Sequence, residues 1–176
     1  GENGLSIRPI VMFPDQRLRE AAAPIVIFDA SLHALAGDLL DTMRAAPGVG
    51  ITAPHIGVMR RVVVLELPGA GEPRFYVNPA LIRISKDTLR HEEGSVSMPG
   101  VTETVERAAS VTVRYQDLAG AFHEEKAEGF HAACHQHEID QLNGRFWLLR
   151  LSALRRGRLT ERFEKQRRAD RRQPVR

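Results

Sequence analysis

One cysteine, one tryptophan and two tyrosines among 176 residues leave this chain poor in the groups that staple or stack a fold. With Cys134 alone, no internal disulfide can form, which fits a reducing cytoplasm and sets aside the small disulfide-framed folds. No apolar run approaches the roughly 18 residues that span a bilayer, so no membrane partner is expected. The opening GENGLSIRP has no basic segment leading into an apolar one, so it does not read as a secretory signal. The glycine-rich Gly48 to Gly57 is not followed by Gly-Lys-Ser/Thr, which excludes a phosphate loop. There is no internal repeat and no linker, and nothing calls for DNA as a partner.

What is present suits one globular domain: 43% hydrophobic and 27% charged residues, at a length that buries a substantial core. The net charge of +3 is unevenly placed. Arg155 to Arg176 holds ten Lys and Arg against three acids, leaving fifteen against nineteen ahead of it. The body is mildly acidic and the tail strongly basic.

Hydrophobic spacing predicts a helix from Ser31 to Ala46, capped by Asp29 or Ser31, with Leu32, Leu35, Leu39 and Met43 on its apolar stripe. Arg61 to Leu67 reads as a buried strand. Phe75 to Asn78 and Leu81 to Ile84 read as two short strands interrupted by Pro79, at an edge or a bulge. His91 to Gly100 reads as a polar loop. Val101 to Val105 and Ser110 to Tyr115 alternate as strands do, and Asp117 to Gly120 turns the latter back into Ala121 to Lys126. Phe146 to Leu151 reads as a short apolar strand, and Ser152 can cap a final helix. Antiparallel strands with two or three helices give the α+β class.

The stretch around which the rest is arranged is Glu128 to Gly144, helical in length and stopped by Asn143-Gly144. It contains His137-Glu138-Ile139-Asp140-Gln141. In the metal-hydrolase pattern H-E-x-x-H, two histidines share a helical face and grip an ion while the glutamate activates its water. Here the fifth position is Gln141.

Three ordered segments resemble the peptide deformylase family. Gly48-Val49-Gly50-Ile51-Thr52-Ala53-Pro54-His55 is similar to G-x-G-x-A-A-x-Q, Glu93-Gly94-Ser95-Val96-Ser97 to E-G-C-x-S, and Gln136-His137-Glu138-Ile139-Asp140-Gln141 to Q-H-E-x-D-H. Phe13 to Arg19 and Tyr76-Val77-Asn78-Pro79 add to the likeness. The resemblance implies antiparallel sheets wrapped around a central helix, in a domain of residues 1–154 followed by a basic helix or tail at 155–176. It also implies a metal hydrolase that removes the formyl group from N-formyl-methionyl peptides.

Residue by residue, the resemblance assigns Glu138 as general acid and base, His55 to the oxyanion-binding position, and Gly50 and the backbone at Val96 to substrate contacts. The three metal positions are Ser95, His137 and Gln141, with a hydroxyl and an amide where the family has a thiolate and an imidazole. Val49, His91, Phe130, Ala133 and Cys134 occupy positions resembling the methionine pocket, and Arg107 with Asp140 resembles a structural ion pair. The cofactor implied is a divalent metal (iron, zinc or nickel) if the chain is active, and none otherwise.

The expected activity is accordingly weak or absent. One alternative is a rebuilt metal site using His55 or His91. Another is a non-catalytic relative that binds N-terminal peptides or associates with ribosomes. His131 and His135, four apart on a different face from His137, read as surface or second-layer residues, and Cys134 as a pocket or core thiol. The cationic tail suits contact with RNA phosphates at the ribosome. Its last residues, Asp170 to Arg176, read equally as a solvated, partly disordered end.

Overall fold

The computed structural model describes residues 6–172. A five-stranded antiparallel sheet is built from β1 (Gly50–Thr52), β2 (Val62–Leu65), β3 (Arg74–Ile84), β6 (Ser110–Gln116) and β7 (Phe122–Glu128), hydrogen-bonded in that order. A separate two-stranded ribbon joins β4 (Thr88–Ser95) to β5 (Met98–Ala108). Three helices complete the α+β fold: α1 (Ala30–Ala45), α2 (Gly129–Leu142) and α3 (Ala153–Arg172).

The helical spacing expected at Ser31 to Ala46 is realised in α1, where the Asp29 carboxylate accepts from the backbone N–H groups of Ser31 and Leu32. Leu32, Leu39 and Met43 turn inward and pack with Ile51, Val62 and Val64. β2 is buried along its whole length, as its unbroken Val-Val-Val-Leu run requires. The β6–β7 hairpin turns at Asp117 to Gly120, as its sequence indicates.

Three elements differ from the sequence reading. His91 to Gly100 is not a loop: His91 pairs with Val105 and Glu93 with Glu103 in the ribbon, which turns at Val96 and Ser97. Much of β4 faces solvent, so its side chains are polar and mask the strand pattern. The two strands expected around Pro79 form one strand, β3, with a register shift between Val77 and Ala80. Pro79 sits in that bulge, and Asn78 adopts a φ of 51°. Since β3 lies between β2 and β6, the bulge reading holds and the edge reading does not. Phe146 to Leu151 forms no strand, because Trp147–Arg150 is a 3-10 turn that buries Trp147 and Leu148. A short apolar run does not distinguish these outcomes by period.

Met98, Val101 and Val105 from β5 pack with Phe146, Trp147, Leu159 and Phe163, so α3 is anchored to the ribbon through two buried residues. Arg155 donates to Glu103 and to the Thr104 carbonyl, and Arg167 to the Phe13 carbonyl. Arg158, Arg162, Lys165 and Arg168 remain exposed. Asp170 to Arg172 continue α3, while the rest of the tail and the start of the opening segment lie outside the described residues.

Candidate active site

The α2 helix enters from the end of β7 and stops at Gly144, whose φ of 75° suits glycine. A Cβ there would stand 2.7 Å from the Arg19 carbonyl oxygen, so the close approach also demands glycine. The helix is buried nearly all round rather than on one stripe, which places His137 and Glu138 in the interior.

A buried ionic chain fixes the His137 ring. Arg107 donates to both oxygens of Glu93 at 2.7 and 2.8 Å and to Asp140 at 2.8 Å, while Arg150 holds both oxygens of Asp140 at 2.9 and 2.8 Å. Glu93 in turn accepts from Nδ1 of His137 at 2.8 Å. Burial opposes the Glu93 charge, but the bonds from Arg107 and His137 outweigh it and hold its pKa down to about 2. The Arg107–Asp140 contact is therefore part of a five-residue chain. The sequence marked Glu93 only as the head of its motif and offered no signal for Arg150.

His137 turns Nε2 toward Glu138, whose Oε1 is 3.6 Å away. Burial pushes the Glu138 carboxyl up to about 7, with His137 pulling the other way, and Oε2 is buried without a hydrogen-bond partner. Burial works against a charge on His137 too, but Glu138 and Glu93 outweigh it and raise its pKa.

These groups line a cleft of about 620 Å³ together with Gly50, His55, Ser95 and Val96. Val49, Phe130, Ala133 and Cys134 form part of its wall, where burial pushes the Cys134 thiol up to about 12 and leaves it protonated. Gly50 has a steric reason: a Cβ would lie 2.9 Å from Leu65 and 3.3 Å from the Glu138 carboxyl. His91 does not line this cleft. It stands on β4, on the same side as Glu93 by strand alternation, with its ring tilted toward Phe130 at 6.4 Å.

His55 is buried and accepts the backbone N–H of Thr52 at Nδ1, 2.9 Å away. A peptide nitrogen has no lone pair to accept with, so the ring proton sits on Nε2, which is buried and unpartnered. Burial lowers the His55 pKa to about 3, so the ring is neutral and offers the cleft a donor. A protonated nitrogen cannot ligate a metal, which removes His55 from a rebuilt metal site as the ring is held. His91, outside the cleft, does not supply one either.

The donors present do not fit a divalent ion at His137. The Ser95 hydroxyl oxygen accepts from the Ser97 N–H at 3.1 Å, and an alcohol is a poor ligand beside a thiolate. Gln141, 2% exposed, does not reach the cleft and donates its amide to the Leu18 carbonyl at 2.8 Å. Among the described residues, a set of three His, Cys, Asp or Glu ligand atoms within 4.8 Å of one another occurs at Glu125, His131 and His135. His135 is deeply buried there, more than its reading as surface or second layer implied.

The sequence profile of polypeptide deformylases matches residues 7–157. A protein named peptide deformylase-like from Brucella melitensis biotype 1 is 58% identical over 161 residues, covering 92% of this chain and 98% of the relative. A peptide deformylase from Afipia carboxidovorans is 43% identical, covering 92% and 96%. The crystal structure of a peptide deformylase from Legionella pneumophila superposes with a TM-score of 0.90 at 41% identity, over 96% of this chain and 99% of that one.

Proposed function

The chain belongs to the polypeptide deformylase family, and from that premise we propose that it takes N-formyl-methionyl peptides into its cleft but turns them over weakly or not at all. The observation that carries this reading is Gln141, which spends its amide on the Leu18 carbonyl and stays out of the cleft. The family is metal-dependent, and a bound ion lowers the pKa of its water from 15.7 to about 7. Without it, Glu138 would have to activate ordinary water, and general-base help contributes only roughly 10²–10⁴-fold.

Three features of the cleft support a recognition role beside that deficit. Gly50 admits backbone close to Glu138, and the His55 Nε2–H supplies a neutral donor for a carbonyl oxygen. Val49, Ala133 and Cys134 give the wall an apolar, unreactive lining. A binding role therefore asks less of this site than hydrolysis does.

The test pairs two measurements on the full chain. Calorimetric titration with an N-formyl-methionyl tripeptide should show binding, and an assay on the same peptide with iron, nickel, cobalt or zinc should show little release of formate. Turnover at ordinary family rates that disappears in Glu138→Ala would overturn the proposal.

A second reading concerns α3. Among the described residues, its exposed Arg158, Arg162, Lys165 and Arg168 make none of the internal bonds that occupy Arg155 and Arg167, and they support contact with ribosomal RNA.

A further inference from the structure

On a part of α2 that does not line the cleft, His131 and His135 stand one turn apart with their rings stacked, centroids 4.8 Å apart and planes tilted by 30°. Both point Nε2 at one atom, Oε1 of Glu125 in β7, at 2.8 and 3.1 Å. The His135 contact is a hydrogen bond. The His131 approach is shorter still, and its Nε2 is buried with no other partner. Two imidazole edges thus converge on one carboxylate oxygen.

The surroundings hold this arrangement in place. The Tyr76 hydroxyl donates to the Glu125 carboxylate, 2.9 and 3.0 Å from its two oxygens, and the Tyr76 ring meets His135 edge-on at 4.8 Å. His135 is only 1% exposed, whereas the His131 side chain is 30% exposed.

We propose that Glu125, His131 and His135 bind one zinc ion that fastens β7 to α2. Two imidazoles and a carboxylate are a zinc donor set, with a fourth position left for water. At metal–ligand distances of about 2.0–2.1 Å, tetrahedral ligand atoms stand roughly 3.3 Å apart, so the two nitrogen–oxygen distances need to lengthen by only a few tenths of an ångström. Each imidazole would meet the ion through the lone pair of Nε2, with its proton on Nδ1. Tyr76 reaches both carboxylate oxygens and orients their plane, the usual task of a partner to a metal ligand. As a mere polar contact, the cluster would bind no metal.

The experiment titrates metal-stripped full-length protein with zinc against a chromophoric chelator. One zinc per chain is expected in the wild type and equally in His137→Ala, since this site owes nothing to the cleft. His131→Ala and Glu125→Gln should each weaken binding by at least about tenfold. A zinc-dependent rise in Tm should vanish in the same two variants, while circular dichroism verifies that both are folded. No stoichiometric zinc, or undiminished zinc in folded His131→Ala, overturns the proposal. Zinc lost in His137→Ala and kept in His131→Ala would place the ion in the cleft and overturn the reading of weak turnover as well.

Discussion

Gln141 and Leu18 stand 123 positions apart in the chain and 2.8 Å apart in the fold, the glutamine amide donating to the leucine carbonyl. The residue at the third family metal position has become a tie between α2 and the turn Gln16–Arg19 that contains Leu18. Restoring metal chemistry therefore requires breaking that tie as well as supplying a ligand. In Ser95→Cys/Gln141→His, stoichiometric metal near His137 and formate release at least roughly a hundredfold above wild type are expected, within the range that one effective catalytic device contributes. Neither single variant should reach that level. Nickel-loaded kinetics on an N-formyl-methionyl peptide decide it, and equal activity in wild type and double variant would refute the diagnosis.

The same exchange should cost stability. With Gln141 replaced by His, the buried Leu18 carbonyl risks losing its donor, at about 1–3 kcal/mol. Urea unfolding of Gln141→His without metal measures this. A midpoint equal to wild type would mean that the tie contributes nothing.

Acid should weaken the fold through His55. In the unfolded chain its imidazole protonates near 6.5, whereas burial in the native state postpones this to about 3. Between those values the unfolded chain binds more protons, so stability falls as pH drops, by up to about 1.4 kcal/mol per pH unit for one full proton. The loss begins as pH falls below 6.5. His55→Gln cannot take up that proton, so its unfolding free energy should decline less than the wild type's between pH 7 and pH 5. Parallel declines would show that His55 is not the group responsible.

Arg107 balances two buried carboxylates, Glu93 and Asp140, and Arg150 compensates only the second. Arg107→Met should destabilise by about 3–5 kcal/mol, the usual consequence of stranding a buried charge. Chemical denaturation provides the value, and a loss below about 1 kcal/mol would contradict the account of the ionic chain.

For the exposed cations of α3, removing the helix is the wrong test, since Leu159 and Phe163 are part of the core. Arg158→Glu/Arg162→Glu/Arg168→Glu should leave the Tm near that of wild type and abolish salt-sensitive co-sedimentation with ribosomes. Co-sedimentation unchanged by the triple variant would rule out this surface.

Local pattern made much of the protein legible. The stripe Leu32, Leu39, Met43, the run Val62 to Leu65 and the stop at Asn143-Gly144 each carry their own periodicity or backbone preference, and each formed the element indicated. Strand β4 was hidden because Arg90 and Glu92 face water and carry no apolar rhythm, whereas its partner β5 was legible at Val101 to Val105.

The chain's residue types by themselves determined that His137 stands without a thiolate and a second imidazole in the family's positions. Only tertiary structure decided where the replacements went. Gln141 turns to a carbonyl contributed from residue 18, His55 receives its tautomer from the Thr52 amide, and Glu125 meets two histidines across the joint between a strand and a helix. Ligand identity is written in side-chain chemistry. Whether ligands converge depends on contacts between segments distant in sequence, which no local spacing encodes.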